Sequence, residues 1–155
     1  MMQRSTLGSS PIVVDASLAV WALLPVMPDI HALRFFSEWQ LRGATLHAPA
    51  LWPVECTSAI RRYAFAGVIT QEEARIAVDD LFRLGVQVVP TTSAVCRQAL
   101  TWAERLNQAK AYDGFYLTLA AEIDAILYTG DRRLANSASQ LGLTWVRWIG
   151  DATPP

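Results

Sequence analysis

Apolar residues along the chain fall into two alternating kinds of segment. Short unbroken runs, too brief for helices, read as strands covered on both faces: Pro11 to Val14, Ala44 to His47, Val86 to Val89, Ala125 to Tyr128 and Leu143 to Val146. Between them, apolar residues recur at helical spacing. These segments are Ser17 to Leu24, Pro28-Asp29 to about Arg42, Leu51 to Ala66, Thr70 to Leu84, Ser93 to about Asn107, Tyr112 to Glu122 and Arg132 to Gln140. Pro25 stops the first helix, and Gly43, Gly67, Gly85 and Gly142 stop four others. Thr70 with Glu73 makes a capping box.

Strands that alternate with helices predict an α/β fold with three layers, α/β/α, around a central parallel sheet of about five strands. The 155 residues suit one domain, expected over 11–150, with loose tails at 1–10 and 151–155. In open parallel sheets ligands bind beyond the carboxyl ends of the strands, and that is where acidic residues stand. Asp15 follows the first strand, and Asp131 follows Thr129-Gly130 at the end of the fourth. Asp113 opens a helix, and Glu55 lies in the first turns of the helix after Pro49. Each alone is explained by capping or by the helix dipole. Together, four carboxylates at one sheet edge cannot all ionise without a compensating cation. Hard divalent ions take oxygen ligands, and a carboxylate-held ion suits in-line phosphoryl transfer to water.

Neighbouring residues fit the same chemistry. Ser17 and Thr129, two residues from Asp15 and Asp131, are placed to orient a carboxylate or a water. Arg62 lies seven residues after Glu55 on the same helix, and Arg132 and Arg133 follow Asp131 at a helix N-terminus, where anions are favoured. These three arginines are candidate phosphate contacts.

Composition adjusts this picture. The chain is 52% hydrophobic and 17% charged, below the roughly 25% charged residues of ordinary domains, and its mean hydropathy is +0.22. Such an apolar surplus predicts a subunit or partner interface. Six tryptophans suit a dimer interface, and Trp21, Phe35, Phe36 and Trp39 are candidates for a groove that takes a partner's amphipathic helix. No run reaches the roughly 18 apolar residues of a membrane span, and residues 1–10 lack the apolar centre of a signal peptide. Cys56 and Cys96 are not at metal or disulfide spacing and read as buried thiols in a reducing cytoplasm. Net charge is −1, so a global basic footprint for nucleic acid is missing. Of the 13 basic residues, however, all but Lys110 are arginine, the residue that grips phosphate in bidentate fashion.

The motifs now resemble a known family. Ile12-Val13-Val14-Asp15-Ala16-Ser17 is similar to the opening motif of PIN domains, and Pro53-Val54-Glu55 to their second acidic position. Ala111 to Ala120, with Asp113 and Gly114, resembles the third, and Thr129-Gly130-Asp131-Arg132-Arg133-Leu134 the fourth. The resemblance covers about residues 11 to 149 and is greatest to VapC-type toxins. It implies a Mg²⁺- or Mn²⁺-dependent endoribonuclease with Asp15, Glu55, Asp113 and Asp131 as its catalytic and metal-binding residues. It further implies a homodimer held inactive by a small antitoxin. Gly114 departs from the alanine common in the family and is expected to loosen that helix start.

Other readings have less support. His31 and His47 lack a ligand partner at useful spacing. A Gly-rich phosphate loop and a G-x-S-x-G elbow are both missing. Glu122 and Asp124 read as a solvated helix end. A response-regulator-like pocket needs a lysine at a strand end, whereas Lys110 precedes a helix. The standing alternative is a non-catalytic PIN-like binding module that acts through protein or RNA contacts, its acidic residues serving as helix caps.

Overall fold

Val13 and Val14 are wholly buried because the strand they form is covered on both faces and paired on both sides. The computed structural model describes residues 10–24, 26 and 31–151. Its sheet contains β1 (Ile12–Val14), β2 (Leu46–Pro49), β3 (Val86–Val89), β4 (Ile126–Thr129) and β5 (Val146–Trp148), in the order β3-β2-β1-β4-β5. Every pairing is parallel. β1 lies between β2 and β4, with Val13 opposite both His47 and Leu127.

Seven helices complete the described residues: α1 (Ala16–Leu23), α2 (Ala32–Leu41), α3 (Trp52–Phe65), α4 (Gln71–Leu81), α5 (Ser93–Arg105), α6 (Tyr112–Glu122) and α7 (Arg132–Gln140). α1 packs on α2, α3 and α4, while α5 and α6 pack on each other and α6 on β1, β2 and β4. These are the two helical layers expected around a parallel sheet, and the α/β/α prediction holds. None of the described helices is long and apolar enough to cross a membrane. The expected tails lie outside the described residues except for their inner ends, Ser10 and Asp151, and so does the helix start expected at Pro28-Asp29.

β2, β4 and β5 begin later than the apolar runs suggested, because the turns that end the preceding helices consume the first residues of those runs. The Ala44 amide donates to the Trp39 carbonyl at 2.9 Å, and that of Leu143 to Ala138 at 3.0 Å. Both residues therefore belong to α-helical C-terminal turns, and β2 and β5 start two and three residues further on. β4 is displaced by one residue, which makes Thr129 its last residue, fully buried, and not a loop position. α5 and α6 end without glycine. Asn107 and Asp124 take the left-handed turn instead, with φ of 53° and 52°, as short polar side chains permit. Asp124 thus turns the chain into β4 as well as ending a helix.

The aromatic groove is not present as expected. Phe35, Phe36 and Trp39 are 4%, 1% and 2% exposed. They form a core cluster in which the Trp39 ring lies 4.9 Å from that of Tyr128 on β4. The Trp21 ring is half-buried beside Gly130, where a Cβ would collide with it. The exposed apolar residues lie elsewhere, with Phe65, Phe82 and Val54 at 81%, 68% and 69% on or next to α3 and α4. Cys56 is buried as predicted, but Cys96 is exposed on the outer face of α5.

Gly114 corrects another expectation. A Cβ built there would run into the backbone carbonyl of Ala99 on α5. The missing side chain lets the two helices approach closely and does not loosen the helix. Helix propensity alone favours alanine by about 1 kcal/mol, but the clash is with backbone and requires the helices to part. Gly114→Ala is therefore expected to destabilise the protein by about 1–3 kcal/mol, read as a lower midpoint in thermal or urea melts; an unchanged or raised midpoint would contradict the packing account.

Candidate active site

The register of the sheet brings the first two acidic groups together. Val14 lies opposite Tyr128, so Asp15 and the Thr129–Asp131 segment leave neighbouring strand ends, and the Asp15 amide donates to the Tyr128 carbonyl at 3.1 Å. The Asp131 carboxylate caps α7, its Oδ1 accepting from the Arg133 and Leu134 amides at 2.8 and 3.3 Å. Asp15 Oδ1 accepts from the Ala16 amide at 2.7 Å. Capping explains neither Asp113 nor Glu55. Each lies inside the first turn of its helix, and the flanking residues Ala111 and Leu51 make no side-chain cap.

Polar side chains hold each acid. Thr129 Oγ1 donates to Asp15 Oδ2 at 2.6 Å and accepts from the Asp131 amide at 2.9 Å. Ser17 Oγ donates to the same Asp15 oxygen at 3.3 Å and accepts from the Gly130 amide at 3.0 Å. The Tyr116 hydroxyl donates to Glu55 Oε1 at 2.8 Å, and Gln108 Nε2 to Asp113 Oδ2 at 2.8 Å. Ser17 and Thr129 were expected in an orienting role; Tyr116 and Gln108 were not. Tyr116 was legible, since it lies three residues after Asp113 on the same helix face. Gln108 sits in the loop after α5, where no periodicity points to it.

Mutual repulsion links the acids. Burial pushes the Asp15 carboxyl up to about 6, with Asp113 adding repulsion against the hydrogen bonds from Thr129, Ala16 and Ser17. Burial raises Glu55 to about 7, opposed by Tyr116 and reinforced by Asp15 and Asp113. Asp113 is raised by burial, with Gln108 opposing and Asp131 reinforcing. The four groups thus form a chain of electrostatic neighbours, Glu55–Asp15–Asp113–Asp131.

The oxygens that could reach a cation are carboxylate oxygens. The side-chain hydrogen bonds among the described residues use Glu55 Oε1, Asp113 Oδ2 and Asp131 Oδ1, leaving the other oxygen of each. Among those residues no three of the His, Cys, Asp and Glu side chains stand close enough to enclose an ion. At most one or two of these carboxylates could therefore bind one cation, with waters filling the remaining positions.

The predicted phosphate contacts, Arg62, Arg132 and Arg133, are exposed. The ion pairs among the described residues are Arg75–Glu72 and Arg83–Asp80, so these three guanidiniums are not tied to protein carboxylates. Arg132 instead lies over the Trp148 ring, 4.7 Å from its centroid.

Comparison with known proteins identifies the family and the fold. The PIN domain family model matches residues 12–139. Ribonuclease VapC1 of Mycobacterium tuberculosis is 35% identical over 79% of this chain and 87% of its own length. Ribonuclease VapC12 of the same organism is 34% identical over 81% of this chain and 91% of its own. In fold, the chain is similar to the crystal structure of PAE2754 from Pyrobaculum aerophilum, with a TM-score of 0.66 at 18% identity over 93% of each chain. VapBC2 from Rickettsia felis, crystallised with a DNA fragment from its promoter, gives a TM-score of 0.60 at 12% identity over 89% of this chain and 98% of that one.

Two predictions follow from the electrostatics and from the hydroxyl that anchors Asp15. A carboxyl raised in the folded state stabilises the fold when neutral; that contribution is complete below the unfolded value and is lost as pH climbs through the folded one. For Asp15 and Glu55 the windows run from 3.8 to about 6 and from 4.5 to about 7. Metal-free protein should therefore melt several degrees lower at pH 8 than at pH 5, and Asp15→Asn should flatten the dependence; a melting temperature that climbs over this range in wild type would contradict the repulsion. Thr129→Val removes the hydroxyl that both holds Asp15 and satisfies the Asp131 amide, at an expected loss of about 1–3 kcal/mol. Thr129→Ser should recover most of it in the same denaturation assay.

Proposed function

The chain belongs to the PIN-domain family, and from that premise we propose that it is an endoribonuclease, the toxin of a VapBC-type toxin–antitoxin pair, that hydrolyses RNA phosphodiester bonds at Asp15, Glu55, Asp113 and Asp131. The observation that carries this reading is the convergence, at the carboxyl end of one sheet, of four acids contributed by four separate chain segments and joined by mutual repulsion. The relatives' names, ribonuclease VapC1 and VapC12, support the same activity.

Mg²⁺ or Mn²⁺ is the cofactor this acidic cluster would take, one or two of the carboxylates of Asp15, Glu55, Asp113 and Asp131 holding it and waters filling the other positions. Once bound, such an ion supplies positive charge to the phosphate and acidifies water. The protein's own contribution is orientation and charge. Thr129 and Ser17 fix Asp15, Tyr116 fixes Glu55, and Gln108 fixes Asp113. Burial raises Glu55 to about 7, so a cation bound beside it would favour loss of its proton, and ion binding should release protons. Arg62, Arg132 and Arg133, free of ion pairs among the described residues, would hold RNA phosphates.

The partners belong to the same proposal: a cognate antitoxin protein and a second copy of the chain, in a cytoplasmic setting. The exposed apolar residues Val54, Phe65 and Phe82 supply surface of the kind interfaces use.

Purified protein is expected to cleave RNA with Mg²⁺ or Mn²⁺ and to stop when EDTA is added. Asp15→Asn and Asp113→Asn should fold, lose cleavage, relieve growth arrest on expression and lose the ion-dependent gain in melting temperature. If wild type and both variants alike fail to cut RNA, and no ion shifts the melt, the chain is a binding module and the nuclease reading is wrong.

A further inference from the structure

A cleft of about 490 Å³ lies between α7 and the edge strand β5, lined by Arg132, Asn136, Ser139, Arg147 and Trp148 among others. We propose that this cleft is a nucleotide subsite that holds one unpaired base and its phosphate from the RNA strand beside the acidic cluster; the proposal rests on the ribonuclease reading.

Its position ties it to the site. Arg132 directly follows Asp131. Trp148 is the register partner of Thr129, whose hydroxyl holds Asp15. A strand that runs across the carboxyl edge of the sheet from the acids meets the cleft next. Along α7, Arg132, Ala135, Asn136 and Ser139 recur at helical spacing on one face, so the wall of the cleft is a continuous stripe that begins one residue after the catalytic aspartate.

Its chemistry fits a nucleotide better than an apolar ligand. The Arg132 guanidinium lies over the half-buried Trp148 ring at 4.7 Å. Trp148 is itself backed by Gly150, where a Cβ would strike the ring, and this packing keeps the stacked pair in place. The pair offers a flat cationic face, the surface on which unstacked bases settle in single-stranded RNA recognition. The exposed Arg147 supplies a second guanidinium for phosphate, and Asn136 supplies an amide donor and acceptor for a base edge. Among the described residues that line the cleft, two arginines stand with one carboxylate, Asp151, a positive balance in a chain whose net charge is −1.

The test uses Asp113→Asn protein, which should not cut, titrated with a short fluorescein-labelled single-stranded RNA. Adding Arg147→Gln or Asn136→Ala to that background should raise Kd about three- to tenfold, as expected for one lost contact. Trp148→Leu should weaken binding at least as much, and Trp148→Phe should retain most of it. In otherwise wild-type protein, Arg147→Gln and Asn136→Ala should raise KM more than they lower kcat, and Asn136→Ala should change the base preferred next to the cut. Unchanged Kd, KM and cleavage pattern in both variants would overturn the subsite. So would variants that bind RNA normally but lose a protein partner, which would make the cleft a protein contact. Should wild type fail to cut while RNA binding still depends on Arg147, the nuclease reading falls and the subsite remains.

Discussion

Two hydroxyls connect the chain after β1 with the chain after β4. Ser17 Oγ donates to Asp15 and accepts from the Gly130 amide, and Thr129 Oγ1 donates to Asp15 at 2.6 Å across 114 residues of sequence. Without the threonine, Asp15 would meet burial and the repulsion of Asp113 with only local amide and serine donors to offset them. The Thr129 oxygen also accepts from the Asp131 amide, so with the Ser17–Gly130 bond and the Asp15 amide on the Tyr128 carbonyl it fixes the chain after β1 against the chain after β4. Parallel pairing of these strands is what makes the contact possible, because only a parallel sheet delivers both carboxyl ends to one edge.

This arrangement sacrifices stability for chemistry. Asp15, Glu55 and Asp113 are all raised toward neutrality by burial and by one another, and a fold selected for stability alone would separate them. Groups displaced in this way cluster where function needs them. The core opposite compensates: β1 is buried throughout, and Phe35, Phe36, Trp39 and Tyr128 fill the interior beside β4. The aromatic residues that the sequence offered as a partner groove are thus part of what holds the acidic edge rigid.

Much of the architecture was legible from period and punctuation. The alternation of short apolar runs with helical stretches identified the five strands and seven helices of the described residues, and the strand-to-helix boundaries at Asp15 and Asp131 and the start of α6 beside Asp113 were read to within a residue or two. Asp15 and Asp131 stood out because they follow strand ends of a parallel sheet, where ligands bind; Glu55 and Asp113, inside the first turns of helices, stood out by the motifs around them. What stayed hidden has a common cause: it depends on contacts between elements, which a single chain does not display. Whether Phe35 faces a core or a groove depends on what packs over α2. Gly114 looks like a weak point until Ala99 of α5 is placed against it. Gln108 lies in a loop whose route alone brings it to Asp113. The strand starts moved because hydrogen bonds that finish a helix outrank the apolarity of the next few residues.

The openness of the acidic cluster bears on how it would work. Four carboxylates drawn tightly around an ion would form a structural site, closed to substrate. Here no three acidic, His or Cys side chains among the described residues close on a point, and protein donors hold only one oxygen of Glu55, Asp113 and Asp131. Under the proposed ribonuclease reading, an ion held by one or two of these carboxylates would leave room for water and for a phosphate oxygen, as an open catalytic site requires. Affinity for the ion and affinity for RNA would then be linked through the same carboxylates, with Thr129 and Ser17 holding Asp15 among them.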